Sequence, residues 1–490
     1  MSDELSFNED EVKKTNTSNA TKGSSSENYE NDSKIHSSVD EDLKSKKELK
    51  KRSNLFYLIS IGNATGQSFL FNFFSAFAVL VGVTSSMLGF ITSIRNLMSS
   101  LFQGAIGRLS DKYGRRYFLL IGFFLVFSSL VILVFINSPI MLIIISIIQA
   151  FSLSLIIPVW NATLGDVTKI DERATYIGKL SAIGTAISVS LMLGLAVLFY
   201  LIDDVFVTLT LPSWYEERIK YEFAFMLAAF NFLLCILGAF LLRETCCLKE
   251  KKEQQPSMFL ALKNPDFKKF FIINSIFGLI MASMWPIFPI AQVTVLEMDF
   301  AQIAIINAIF STSSSLAQFF GGKLGDRIGR KPLLIFSRMT MFVIPVVMIG
   351  AILIDNWLLL IISNVIGGAG IGALNVSLNA YILDLAPSDQ MGAYSGLTQV
   401  GWGITTFIGS LSAGFIADAI ETSVGTRQMV IITFIAISIL RLLASIGFFF
   451  IKESFPQKAR QELQEKRNAE KISKYPPVLA SCEDSSTQTK

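Results

Sequence analysis

The chain has 490 residues, with 42 Lys and Arg against 39 Asp and Glu and 51% hydrophobic residues. Its charge is concentrated at the ends: residues 1–52 carry 10 basic and 12 acidic side chains, residues 452–490 carry 8 and 6, and the 399 between them are about 11% charged, against roughly 25% in soluble domains. That excludes a soluble middle, and a net charge of +3 spread in this way gives no electrostatic footprint for nucleic acid.

Residues 1–52 are rich in Ser, Asn, Glu and Lys and poor in large apolar residues, so a disordered tail is expected. No apolar stretch precedes Leu55, which does not read as a secretory signal. Apolar segments long enough to cross about 30 Å of hydrocarbon as helices then fall near 55–82, 86–107, 117–137, 140–161, 177–202 and 221–242. After a charged linker at 243–267, six more fall near 268–293, 301–322, 333–354, 357–383, 394–419 and 428–451. A second charged tail follows over 452–490. Continuous runs of this length favour helices over barrel strands, whose side chains alternate. Of the four cysteines, Cys235 lies in an apolar run, Cys246 and Cys247 just beyond it and Cys482 in the tail. No zinc or disulfide spacing emerges, and Cys246 and Cys247 are either lipidated or plain interfacial residues.

The segment Gly107-Arg-Leu-Ser-Asp-Lys-Tyr-Gly-Arg-Arg116 returns as Gly322-Lys-Leu-Gly-Asp-Arg-Ile-Gly-Arg-Lys331, an offset of 215. A second set, Asn161, Ala162, Asp166, Asp171, Tyr176 and Gly178, recurs as Asn379, Ala380, Asp384, Asp389, Tyr394 and Gly396, at an offset of 218. One module is used twice, as in duplicated transporters. Lys and Arg cluster at 44–52, 108–116, 169–179, 243–263, 323–331 and after 452, whereas the opposite loops hold only Arg218, Lys220 and Arg427. The positive-inside rule therefore places both termini and both repeated hairpins in the cytoplasm.

Twelve spans in two halves, with Gly-x-Leu-x-Asp-x-x-Gly-Arg-Arg/Lys between the second and third span of each, resemble the major facilitator superfamily over nearly all of 53–451. The resemblance implies an all-α membrane protein of two pseudo-symmetric six-helix bundles, 53–242 and 268–451, that alternate access by rocking. Gly107 and Gly322 allow close helix approach and Gly114 and Gly329 permit tight turns, while Arg115, Arg116, Arg330 and Lys331 can reach headgroups. By resemblance, Asp111 and Asp326 latch one bundle to the other in a single facing state. The repeat position of Asp166 and Asp384 suggests ion pairs with Arg115 or Arg116 and with Arg330 or Lys331; the alternative is solvated loop acids.

Polar groups inside spans are costly and so mark pathway candidates: Gln67, Asn72, Arg95, Gln149, Met281, Trp285, Asn375, Gln399 and Trp402. Their choice leans on the resemblance, in which spans one, four, seven and ten line the cavity, and helix packing is the alternative for each. Arg95 lies deep in span two, Arg441 suits structural pairing or snorkelling, and Arg338 is close enough to a span end to snorkel. Pro286 and Pro289 are expected to break span seven and Pro158 to bend span four, while the Gly367–Gly372 run gives tight packing. The one histidine is His36, and no Asp or Glu lies near a span centre, so proton or ion coupling stays open.

Span four has Gln149 and Ala150 where many members carry Arg before a Gln-Gly pair, and span five lacks the Gly-Pro pair of drug/proton antiporters. No phosphate-binding loop, metal cluster or nucleophile constellation occurs, so no cofactor, metal or enzymatic activity is expected. The reading is a secondary transporter of a small organic solute, a monomer in the bilayer of the cell membrane. The alternatives are an efflux exporter of drugs or metabolites and, from another class, a non-transporting sensor or scaffold.

Overall fold

A computed structural model describes residues 27–168, 170–208, 213–242, 244, 258–387 and 390–454. The described residues form helices and no strand. The first half comprises α1 (Glu27–Leu80), α2 (Ser85–Tyr113), α3 (Arg115–Leu133), α4 (Pro139–Val167), α5 (Ile170–Thr208) and α6 (Ser213–Leu241). The second comprises α7 (Pro265–Ala282), α8 (Ile287–Ile290, running into a π-turn at Ala291–Val295), α9 (Phe300–Ile328) and α10 (Arg330–Thr340). It continues with α11 (Val343–Ile354), α12 (Leu359–Leu385), α13 (Met391–Val424) and α14 (Thr426–Ile446). Among the described residues ten helical stretches are long and apolar enough to cross a membrane, so the chain is a multi-pass membrane protein. The helices of spans one and two are not among the ten. Ser85, Ser86, Thr92, Ser93, Arg95, Asn96, Ser99, Ser100 and Gln103 dilute the apolar character of α2.

Residues 27–52 are helical within α1, not the coil expected; the stretch 41–52 is rich in Glu, Leu, Lys and Arg, which are good helix formers. Residues 1–26, Cys246 and Cys247 in the linker, and Cys482 in the second tail lie outside the described residues. Cα packing divides the chain between Phe56 and Tyr57, and the membrane-spanning helices belong to the second unit.

Span seven breaks where expected. Pro286 has no N–H, and the Trp285 amide donates to the Ala282 carbonyl at 3.1 Å instead of to Met281. Pro158 sits within an uninterrupted α4, where one lost bond does not end the helix. Span nine is interrupted at Met341–Phe342 between α10 and α11, because Pro345 cannot donate to the Met341 carbonyl.

Both orphaned carbonyls are met by one side chain: Arg441 of α14 donates to the Met341 carbonyl at 2.9 Å and to the Met281 carbonyl at 2.8 Å. In hydrocarbon no water would otherwise satisfy them. Arg338 does not snorkel; it is fully buried, caged by the rings of Phe277 at 4.4 Å, Phe448 at 5.0 Å and Trp402 at 5.6 Å, and donates to the Asn274 Oδ1 at 2.6 Å.

In the first half α3 packs between α4 and α6, and α2 lies against α4. In the second half α9, α10 and α11 pack on α12, while α7 packs on α13 and α14. The glycine run of span ten brings α12 onto α9: a Cβ at Gly368 would lie 2.5 Å from the Phe310 carbonyl oxygen. Across the halves the principal helix pairs are α2 with α13 and α5 with α9.

Replacing Arg441 by Met leaves two buried carbonyls unpaired, at about 1–3 kcal/mol each. We expect a thermal midpoint in detergent several degrees lower, with Arg441→Lys intermediate because it lacks the two-pronged guanidinium. An unshifted midpoint in Arg441→Met would rule out the stapling role.

Candidate functional site

The repeated hairpins close on themselves in the same way. Gly114 and Gly329 hold φ of 95° and 104°, a region that disfavours side chains, and each ends one helix while starting the next. Arg115 lies 3.0 Å from Asp111 and 2.5 Å from Asp166. Arg330 lies 2.9 Å from Asp326 and 3.3 Å from Asp384. Each half thus ties its hairpin cation to an acid one turn back and to the acid ending span four or ten. Arg116 donates to the Phe240 carbonyl, and Lys331 is held through its backbone.

Two glutamates that the sequence reading did not single out complete the network. The Arg115 and Arg116 amides donate to the Glu244 carboxylate at 2.8 and 3.2 Å, and the Arg330 and Lys331 amides donate to Glu453 at 2.9 and 3.2 Å. A Cβ on Gly114 would meet Glu244 Oε2 at 2.7 Å, a second reason for glycine there. The signal in the sequence is Arg-Glu-Thr after the last run of the first half and Lys-Glu-Ser after that of the second, an offset of 209. Arg218 and Arg427 keep the same offset at the other ends of these spans. Arg218 donates to the Ile136 carbonyl at 2.8 Å and the Val134 carbonyl at 3.3 Å, just past α3, and Arg427 donates to the Ile352 carbonyl in the last turn of α11 at 2.7 Å.

Contacts between the halves are concentrated at the face opposite the hairpins, the far face. Along α2 and α13, Ser86 N donates to Asp418 at 3.1 Å, Thr92 and Ser410 share their hydroxyls, and Ser93 donates to the Phe407 carbonyl at 2.8 Å. A Cβ at Gly89 would meet the Ser410 carbonyl at 2.7 Å, and one at Gly403 would meet Ser100. Beyond that level the two helices part: Gly104 and Gly107 on α2, and Gly392 and Gly396 on α13, have no atom within 4 Å of such a Cβ.

The second seam is aromatic. Phe300, at the start of α9, stacks on Phe73 at 4.6 Å and meets Tyr221 at 5.0 Å and Phe199 at 5.4 Å edge-on. Its amide donates to Glu217 of α6 at 3.1 Å. Just below, Asn307 donates to the Asn72 carbonyl at 3.3 Å. Toward the hairpins Gly178 on α5 again has open space, and Gly322 on α9 reaches only Val376 at 4.0 Å.

The pathway candidates are not one cluster. Gln67 donates to Asn63 on its own helix at 2.8 Å, and Asn72 joins the far-face seam. Arg95 is half-buried with its guanidinium 5.1 Å from the Phe71 ring centroid. Gln149 is 3% exposed and its Nε2 has no partner. Met281 is buried in the core of the second half and Trp285 occupies the span-seven break. Trp402 packs on Gly278 and on the Arg338 cage. Asn375 and Gln399 are exposed. Among the described residues no group of three or more His, Cys, Asp or Glu could hold a metal.

A family model described as Major Facilitator Superfamily matches residues 56–268 and again 270–482. An uncharacterised MFS-type transporter of Methanocaldococcus jannaschii is 22% identical over 76% of this chain and 92% of its own length. The multidrug resistance protein MdtG of Escherichia coli is 29% identical over 36% of this chain and 41% of its own length. Among solved structures, a mutant of the nucleoside transporter NupG superposes with a TM-score of 0.65 at 15% identity, covering 81% of this chain and 99% of that one. A bacterial homologue of the human lysosomal transporter Spinster, inward-facing and occupied, gives 0.59 at 14% identity, over 84% and 97%. These two likenesses are of fold.

The far-face carboxylates accept charge-assisted bonds worth about 1.5–3 kcal/mol each. Combining Glu217→Gln with Asp418→Asn is expected to speed labelling of a Gln67→Cys reporter, by an impermeant maleimide applied to the far face, roughly tenfold or more. Unaltered labelling would remove these carboxylates from the closure.

Proposed function

The chain belongs to the Major Facilitator Superfamily, and on that premise we propose that it is a secondary transporter moving a small organic solute across the cell membrane by alternating access. In this reading it is a monomer of twelve spans, in bundles at 53–242 and 268–451, with both termini and the hairpins in the cytoplasm. The one-sided distribution of Lys and Arg supports that orientation. The far face is then the outer face, and this conformation is closed outward and parted inward.

One observation carries the proposal: the seams between the halves are tight at one face and end partway through the membrane. A rigid scaffold would gain by packing its seams to both ends, whereas rocking requires surfaces that meet only in the other state. The α2–α13 register says which ones. Ser86 faces Asp418, Gly89 faces Gly414 and Ser100 faces Gly403; extending that pairing turn by turn sets Gly107 opposite Gly396 and Asp111 opposite Gly392. The N-terminus of α13, at Met391, would then receive the Asp111 carboxylate, where the helix dipole favours an anion. The repeat relation sets Gly322 opposite Gly178 in the second seam. Asp166 and Asp384 act with Glu244 and Glu453 to hold each hairpin rigid for this latch. Local likeness to a multidrug resistance protein favours efflux of drugs or metabolites as the second reading, and coupling to an ion or proton is compatible with either.

Two measurements test the reading. In a background without the native cysteines, the pair Gly107→Cys and Gly396→Cys is expected to cross-link in membranes during turnover and to stop flux. Ser86→Cys with Asp418→Cys is expected to cross-link at rest. Purified full chain in liposomes is expected to catalyse solute uptake or exchange. If the glycine-side pair never cross-links while the far-face pair always does, the chain does not alternate.

A further inference from the structure

Among the described residues three arginines lie deep in the membrane-spanning helices, and two of them hydrogen-bond to the protein. Arg441 bonds two backbone carbonyls and Arg338 is sealed among three rings with Asn274. Arg95 is different. It is half-buried, lies over Phe71, and among the described residues makes neither a hydrogen bond nor an ion pair. An unpaired cation at that depth is costly and is retained where a ligand or pathway uses it.

Its position suits a ligand. Arg95 lies ten residues below the start of α2 at Ser85, and Phe71 nine before the end of α1 at Leu80. At 1.5 Å per residue both sit roughly 14–15 Å below the far face, near the middle of about 30 Å of hydrocarbon. The aromatic seam at Phe73 and Phe300 closes the level above. About one and a half helical turns below Arg95, past Ser100, α2 and α13 part. Gln149, ten residues into α4 from Pro139, is at the same depth and carries an amide N–H that is buried and unpartnered. Both groups are donors, so what completes them must accept. A guanidinium laid over a ring keeps its in-plane fork of N–H groups free, a shape that matches a carboxylate or phosphate in bidentate fashion.

We propose that Arg95, backed by Phe71 and assisted by Gln149, binds the oxyanion of the transported solute, a small organic carboxylate or phosphate ester. The assignment rests on the transporter reading. Liposomes containing the full chain would be offered radiolabelled benzoate, succinate and glycerol 3-phosphate, with uridine as a neutral probe and tetraphenylphosphonium as a cationic one. Uptake of at least one anion is expected, and the acid carried separates the carboxylate from the phosphate source. Arg95→Gln should raise the half-saturating concentration at least tenfold, about 1.4 kcal/mol, with Arg95→Lys intermediate. The same anion should raise the thermal midpoint of the wild type and not that of Arg95→Gln. If Arg95→Gln does not assemble, Gln149→Leu serves in its place, with a severalfold rise expected. Anion uptake insensitive to these variants, or uptake confined to uridine or tetraphenylphosphonium, overturns the assignment and leaves the transporter reading standing. Absence of all flux counts against both.

Discussion

The architecture depends on how the ends of spans three and nine are satisfied. A helix leaves four amides and four carbonyls unpaired at its two termini, and at a membrane boundary those groups compete poorly for water. Here one neighbouring span supplies both caps. Span six places Arg218 on the carbonyls beyond α3 and Glu244 on its first amides, and span twelve does the same with Arg427 at α11 and Glu453 at α10. Each clamp puts a cation on the negative end of a helix dipole and an anion on the positive end. It also fixes the hairpin in place, because two of the capped amides belong to Arg115 and Arg330, whose side chains pair with Asp111 and Asp166 and with Asp326 and Asp384.

Rigid hairpins leave mobility to the seams between the halves. Those seams are built from small and hydroxyl-bearing residues, Ser85, Gly89, Thr92, Ser93 and Ser100 against Gly403, Ser410 and Gly414, and from one aromatic cluster around Phe300. Hydroxyl contacts of this kind contribute little individually, and Thr92 also bonds its own helix backbone, at the Leu88 carbonyl at 2.8 Å. The clamps, in contrast, tie both ends of one span to a single neighbour through ionised groups, with Arg218 buried in its clamp.

Much of this was legible in the sequence. The apolar runs matched the ten helical stretches long and apolar enough to cross a membrane, the offsets of 215 and 218 pointed to a duplication, and the repeat position of Asp166 and Asp384 suggested their cations. What the sequence hid was of two kinds. The caps at Glu244 and Glu453 lie outside the apolar runs, in a Lys/Arg-Glu-Thr/Ser triplet too short to register beside a ten-residue repeat. Arg338 and Arg441 were hidden differently: depth along a span is readable, but whether a guanidinium finds rings, carbonyls or nothing depends on breaks in neighbouring helices. Pro345 interrupts span nine and Pro158 leaves span four whole, and no local feature distinguishes them. Gln399 and Asn375 looked like Gln149 in sequence, yet only Gln149 is enclosed.

The far-face closure shows that the symmetry lies in the physical requirement more than in the residues. The N-termini of α2 and α9 are repeat equivalents, capped within their own chain segment by Thr84 and Asp299. Each also receives a carboxylate from the opposite half, Asp418 at Ser86 and Glu217 at Phe300. These two acids are not repeat equivalents: the offsets of their spans pair Asp418 with Tyr200 and Glu217 with Thr426. One acid arrives from span eleven and the other from span six. A shared ancestral contact would have left matching positions, as it did in the hairpins. The same electrostatic vacancy at two helix ends has instead been filled from different directions, so the closure follows from the dipoles of α2 and α9, and the carboxylates are the part of it that differs between the halves.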